Sequence, residues 1–177
     1  MTDALLVFST VDGHTREICG RLKDILADAG HRVTMAELTA DSAPDPEGFG
    51  LVVIGASIRY GRHRPEVAEF IERHAGLLQQ RPVAFFSVNA VARKPARRTA
   101  ETNPYVRKFV AGLSWAPAVI EIFGGRIDYP SYRFFDRTMI RLIMWMTGGP
   151  TDPTATVDFT DWDQVDAFGR RLAAMAS

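Results

Sequence analysis

Cysteine is nearly absent: 177 residues include one, Cys19. A single thiol excludes an internal disulfide and any metal site built from a cysteine cluster, and no other metal-ligand pattern stands out. Long apolar runs are missing too, so nothing approaches the roughly 20 residues that a spanning helix needs. Neither sign of charge is in excess, since 21 basic and 21 acidic residues cancel. That balance excludes a chain that coats nucleic acid through overall positive charge, and no nucleic-acid partner is expected. It also speaks against a strongly acidic carrier. Lysine is scarce, with 3 against 18 arginines. The opening residues "MTDALLVF" lack the basic region and apolar stretch of a signal peptide, so the expected location is the cytoplasm.

What is present is an ordinary globular composition, 46% hydrophobic and 24% charged, of a length that suits one domain, 1–177. Ala4 to Phe8 is a continuous apolar run, as expected of a strand buried on both faces. From Thr15 the period changes. Ile18, Cys19, Leu22, Ile25, Leu26 and Ala29 recur at helical spacing before Gly30, and Cys19 reads as a buried thiol. "HRVTMAEL" predicts a second strand, Leu51 to Ile54 a third, "PVAFFSVN" a fourth and "APAVIEIFGG" a fifth. "RPEVAEFIERHAG" predicts a helix with Pro65 in its first turn. A closing helix, "FTDWDQVDAFGRRLAAM", is predicted with Thr160 as N-cap and Asp163 in the reciprocal position. Buried strands alternating with helices imply an α/β fold, a doubly wound, five-stranded parallel sheet.

Two segments exceed a minimal version of that fold. Val88 to Asn103 is a long polar loop bearing Arg93, Lys94, Arg97 and Arg98, before a helix that Asn103 and Pro104 should start. Arg126 to roughly Pro150 reads as a helical insertion near the fifth strand.

The first strand ends in "FSTVDGHTRE". A plain turn needs neither three hydroxyls nor a histidine. In doubly wound sheets ligands bind beyond the carboxyl ends of the strands, where strand order reverses. This loop opens a helix, whose free N–H groups and dipole favour an anion. Ser9, Thr10 and Thr15 add hydroxyls, Gly13 allows close backbone approach, and Asp12 and His14 complete the loop. No lysine is present, which suits a phosphate monoester held by neutral donors. A polar turn with a good helix cap is the plainer alternative. The third strand's tip, Gly55, Ala56 and Ser57, makes room for a flat ring. Ile58, Arg59, Tyr60 and Gly61 follow, and Tyr60 could stack on the ring. The fourth strand ends in Ser87, Val88 and Asn89, with backbone and amide available to a ring edge.

Thr10 to Thr15 resembles the FMN-phosphate motif of flavodoxins, with Asp12 where a hydroxyl residue is common. Together with "VVIGASIRYGRHR", "SVNAVARKP", "TNPYVRKF" and "YRFFDRTMIRLIMWMTGGPTD", it resembles the flavodoxin-like family of bacterial quinone-dependent protoporphyrinogen IX dehydrogenases, over nearly the whole chain. The resemblance implies a flavodoxin-like fold, FMN as cofactor, protoporphyrinogen IX as reductant and a membrane quinone, menaquinone or ubiquinone, as acceptor in haem biosynthesis. It also implies a peripheral place on the inner face of the cell membrane. Two rivals share the fold. One is an NAD(P)H:quinone reductase, which would use the same FMN residues. The other is an electron-carrier flavodoxin, against which the neutral charge and the absence of an aromatic residue in "SVNAVAR" both count. No catalytic acid or base identifies itself.

Within the insertion, a helix from Tyr132 to Met146 would place Phe135, Met139, Leu142, Ile143 and Met146 on one face, expected to pack on the domain. Arg133, Arg137 and Arg141 form a stripe on the other side, flanked by Phe134, Ile140, Met144 and Trp145. A buried helix with snorkelling arginines explains the pattern simply. An anionic membrane surface would fit as well, and so would a porphyrinogen, whose propionates arginine can bind bidentately. Arg93, Arg97, Arg126, Arg133 and Arg137 are the candidate substrate residues.

Overall fold

The computed structural model describes residues 1–176. The chain runs β1 (Asp3–Ser9), α1 (His14–Asp28), β2 (Arg32–Glu37), β3 (Leu51–Arg59), β4 (Arg62–His63), α2 (Pro65–Leu78) and β5 (Val83–Asn89). It continues through α3 (Pro104–Ala111), β6 (Val119–Gly124), β7 (Arg126–Asp128), α4 (Phe134–Thr147), β8 (Thr156–Asp158) and α5 (Trp162–Met175). Five parallel strands lie in the order β2-β1-β3-β5-β6, so strand order reverses between β1 and β3. Register sets Phe8 beside Gly55 and Ser9 beside Ala56, which brings the two strand ends together. The expected doubly wound sheet is therefore present, with β4 added to β3 as a short antiparallel arm.

Apolar runs in β1, β3 and β5 bury side chains alternately on the two faces. Leu6, Phe86 and Phe123 pack with Ile18 and Leu22 of α1 and Phe168 of α5. Leu5, Val7 and Phe85 pack on the other side with Phe70 of α2 and Val106 of α3. Cys19 is fully buried, and burial pushes its thiol up, as an inert core residue requires. His74 is half-buried with its ring 5.0 Å from that of Phe70, as expected of a packed histidine.

Several sequence expectations need correction. The third strand does not stop at Ile54 but runs through the small residues to Arg59, because Gly55, Ala56 and Ser57 pair with β5. A side chain on Gly55 would meet the Phe86 ring at 2.3 Å. The segment 88–103 is not plain loop, since it holds short 3-10 turns at Ala90–Arg93 and Pro95–Arg97. Asp161, not Thr160, caps α5, with its carboxylate accepting from the Gln164 N–H at 3.2 Å. Asn103 does start α3, accepting from the N–H groups of Tyr105 and Val106.

The insertion departs furthest. Its flanks form an antiparallel ribbon, β7 against β8, which strands of three residues gave no periodicity to reveal. Tyr129, Tyr132, Ile127 and Met144 make a third small core there, with Ile140 and Ile143 against it. The buried side of α4 is thus the one expected to flank the arginines. Of the face expected to pack inward, Phe135 is 83% exposed and Met146 71%, while only Ile143 points in.

Candidate functional site

The principal pocket opens beyond the carboxyl ends of β1, β3 and β5 and is walled on one side by α4. Eleven of the fifteen residues expected to hold a cofactor line it: Thr10, Asp12, His14 and Thr15 from the first loop, Ser57, Ile58, Arg59, Tyr60 and Gly61 from the β3–β4 hairpin, and Val88 and Asn89 from β5.

Gly13 is the N-cap of α1, at φ +80°, and no side chain caps the helix. A residue with a Cβ is strained in that conformation. The first-turn N–H groups of a 15-residue helix therefore point into the loop with no side-chain cap. Thr10 Oγ1 accepts from the Gly13 N–H at 3.0 Å, which closes the loop. Ser9 Oγ, Thr15 Oγ1 and Ser57 Oγ are buried without a hydrogen-bond partner among the described residues. An orphaned buried hydroxyl costs about 1–3 kcal/mol unless something pairs with it. Thr15 and Ser57 line the pocket beside a bare helix N-terminus and match an anion with several acceptor oxygens, whereas Ser9 is fully buried and is not part of the pocket wall. Arg64, which sequence reasoning passed over, donates to the Thr10 carbonyl at 3.4 Å and braces the loop from behind.

The hairpin turns at Tyr60 and Gly61, with φ of 49° and 78°. Tyr60 is the one non-glycine residue at positive φ among the described residues, a conformation worth a physical explanation in an aromatic. The explanation is a clasp. The Tyr60 hydroxyl donates to Asp136 of α4, and Arg59 donates to Asp136 at 2.6 Å and to Asp12 at 2.9 Å. The Arg59 guanidinium also lies 5.5 Å from the ring centres of both Tyr60 and Tyr132. Burial works against its charge, but Asp12, Tyr60 and Asp136 more than offset that and raise its pKa. The hydrogen bond from Tyr60, with Arg59 close by, holds Asp136 below the usual carboxylate range.

Other expected residues do something different. Asn89 is 4% exposed, and its amide is occupied within the loop. Its Oδ1 accepts from the Ala92 N–H and from Asn103, while Nδ2 donates to Ser87 Oγ. The oxygen is thus taken, and one N–H of Nδ2 is left over on a residue that lines the pocket. Ser87 is fully buried and bonded to His63 at 2.9 Å, and Ala56 is core. The His14 imidazole turns away from the loop. It sits 2.6 Å from Thr160 Oγ1 and 3.6 Å from Asp158, with Glu17 on its other nitrogen. Burial lowers its pKa despite Asp158 and Glu17. The aromatic missing from the β5 loop is supplied by Tyr105 of α3, which lines the pocket beside Gly61.

Of the five substrate candidates, Arg126 alone lines the pocket, and Glu17 holds it through two bonds of 2.7 and 2.9 Å. Arg93 donates to the carbonyls of Ala90 and Thr147 and so clamps the end of α4. Arg97 donates to the Thr102 carbonyl. Arg133 and Arg137 make no side-chain hydrogen bond or ion pair among the described residues, and Arg137 is half-buried. No group of three His, Cys, Asp or Glu among the described residues could hold a metal.

A family model described as "Flavodoxin domain" matches residues 5–154. The chain is 46% identical over 169 residues to the protoporphyrinogen IX dehydrogenase [quinone] of Escherichia coli (strain K12), covering 96% of this chain and 93% of that one. It is 40% identical over 172 residues to the protein of the same name from Leishmania major, covering 97% and 74%. Among solved structures it resembles oxidised Flavodoxin 1 from Bacillus cereus, with a TM-score of 0.58 at 13% identity over 99% of this chain and 100% of that one, a likeness of fold.

Proposed function

This chain belongs to the flavodoxin domain family, and from that premise we propose that it is an FMN-dependent oxidoreductase that oxidises protoporphyrinogen IX and delivers the electrons to a quinone. The relatives that share 46% and 40% of its residues carry the name of that reaction. The observation that carries the cofactor is the pair of orphaned hydroxyls on the pocket wall, Thr15 Oγ1 and Ser57 Oγ, with the uncapped start of α1. They fit the phosphate of FMN, which needs several donors and no metal.

Bound flavin would accept a hydride equivalent from the porphyrinogen and pass the electrons on, chemistry the protein itself need not supply. The chain's own part is to hold and exclude. Thr10 and Gly13 shape the loop, while the free hydroxyls of Thr15 and Ser57 on the pocket wall are the side-chain donors we assign to the phosphate. Tyr60 and Tyr105 offer aromatic faces at the rim of the pocket. Ile140, Ile143 and Met144 of α4 cover the pocket's apolar side and keep water from the reacting edge. Arg126, beside the pocket, and Arg137, half-buried without a partner, are the arginines we assign to the propionates. We place the protein at the surface of the membrane in which its quinone dissolves.

The test is anaerobic. Protein loaded with FMN is mixed with protoporphyrinogen IX in one cuvette and NADH or NADPH in another. Loss of the flavin's visible absorbance with the porphyrinogen, reversed by quinone, is the expected result. Bleaching by the nicotinamide alone would move the assignment to an NAD(P)H:quinone reductase.

A further inference from the structure

We propose that the outer face of α4 is a docking surface for an anionic lipid bilayer, and that it seats the mouth of the pocket where quinone is dissolved. The inference deepens the reading above, on which it rests for the acceptor; the contact itself stands on geometry.

The helix has two apolar sides and one is already used. Ile140, Ile143 and Met144 face the small core and the pocket, and Asp136 is tied inward by Arg59 and Tyr60. The helix therefore cannot turn its other side in without breaking that clasp. Phe134, Phe135, Met139, Leu142, Trp145 and Met146 remain in solvent, with Phe135 83% and Trp145 73% exposed. Six large apolar side chains contiguous on one helix face exceed the scattered exposure usual for a monomer.

Charge selects the occupant. Arg141, exposed, borders this face, Arg133, also exposed, stands at the start of the helix, and the one carboxylate of α4, Asp136, is on the inner side. Arg93 anchors the far end of the helix through Thr147, which sets the exposed Lys94 beside it in the chain. A second copy of the chain would bring like charges together around the patch, whereas anionic headgroups would neutralise them. At 14 residues the helix is about 21 Å long, too short to cross a bilayer but suited to lie in its interface. No helix among the described residues is long and apolar enough to span. Because the inner side of the same helix lines the pocket, a bilayer on the outer side stands one helix thickness from the flavin site.

The experiment is co-sedimentation of the full-length, FMN-loaded protein with vesicles of phosphatidylglycerol and phosphatidylcholine in equal parts, and with phosphatidylcholine alone. Three proteins are compared: the parent, F135S/W145S/M146S and R133A/R141A. The parent should bind the anionic vesicles. The apolar triple variant should bind at least tenfold more weakly, with its flavin spectrum and circular dichroism unchanged. The arginine variant should lose affinity for anionic vesicles and keep the weaker affinity for neutral ones. No vesicle binding by the parent, or binding that the triple variant retains, overturns the proposal. So does a parent that elutes as a dimer in gel filtration and becomes a monomer in the triple variant. Flavin bleaching by protoporphyrinogen IX, relieved by a water-soluble short-chain quinone, should be equal in parent and triple variant. Its failure in both, with vesicle binding intact, would sink the enzymatic reading and leave the docking surface standing.

Discussion

Helices α1 and α4 have nearly the same length, 15 and 14 residues, and put their apolar residues to opposite uses. In α1, Ile18, Cys19, Leu22 and Leu26 are fully buried, and the other faces carry the charges. In α4, Met144 alone falls in the buried class, and most of the large apolar side chains face water. One helix is held by the sheet it covers. The other is held by a three-point attachment: the small tyrosine core, the Arg59–Asp136–Tyr60 clasp, and Arg93 at its end. An amphipathic helix reports its packing in its sequence only when one of its faces is polar.

The largest expected effect tests that contrast directly. Leu22→Ala in α1 should destabilise the protein by about 3 kcal/mol in urea unfolding, the transfer and cavity cost of a fully buried leucine. Leu142→Ala in α4 should change it by less than about 0.5 kcal/mol, as for an exposed site. Equal losses at the two positions would break the comparison.

Next in size is a pH effect confined to the sheet side of the molecule. Burial depresses the His63 imidazole to about 4, and it lowers His14 in the same direction. A histidine held neutral in the fold binds fewer protons than the unfolded chain. Its stabilising contribution is therefore complete above the unfolded pKa of 6.5 and lost as pH falls toward 4. Between pH 7 and pH 5 the loss from His63 is about 2 kcal/mol, and His63→Asn should flatten that slope.

At the mouth of α1, Thr15→Val removes one orphaned hydroxyl with little change of shape. FMN affinity, read by fluorescence titration, should fall about 10- to 100-fold, the worth of one hydrogen bond to a charged group. The α4 triple variant should bind FMN as the parent does. If both changes strip the flavin, the outer face of α4 is part of the cofactor site after all. The smallest effect is at the clasp. Asp136→Asn weakens the clasp, so cleavage within 133–150 by limited proteolysis should speed up about fivefold while the global unfolding midpoint barely moves.

The α1 region was legible because several local signals agree there. A continuous apolar run, a hydroxyl-rich loop, a glycine and a 3.6-residue period lead to one arrangement, and the structure has it. Asn103 was legible for the same reason, as an N-cap followed by proline. Thr160 misled because Asp161 is an equally good cap one residue on, and only the path of β8 decides between them. Asn89 lines the pocket as its strand-end position indicated, but only the fold shows that its amide also joins Ala92, Ser87 and Asn103. Tyr105 supplies the pocket aromatic from α3, a place no spacing within the β5 loop could indicate.

By itself the sequence determined the alternation of buried strands and helices, the position of the hydroxyl-rich loop at the start of α1 and the absence of an internal disulfide, because each follows from local periodicity, turn chemistry or a count. Only the tertiary structure decided which side of α4 turns inward. With apolar residues on nearly every side, the local pattern holds several solutions of similar free energy. The clasp from Arg59 and Tyr60 to Asp136, brought together from two segments far apart in the chain, selects one of them.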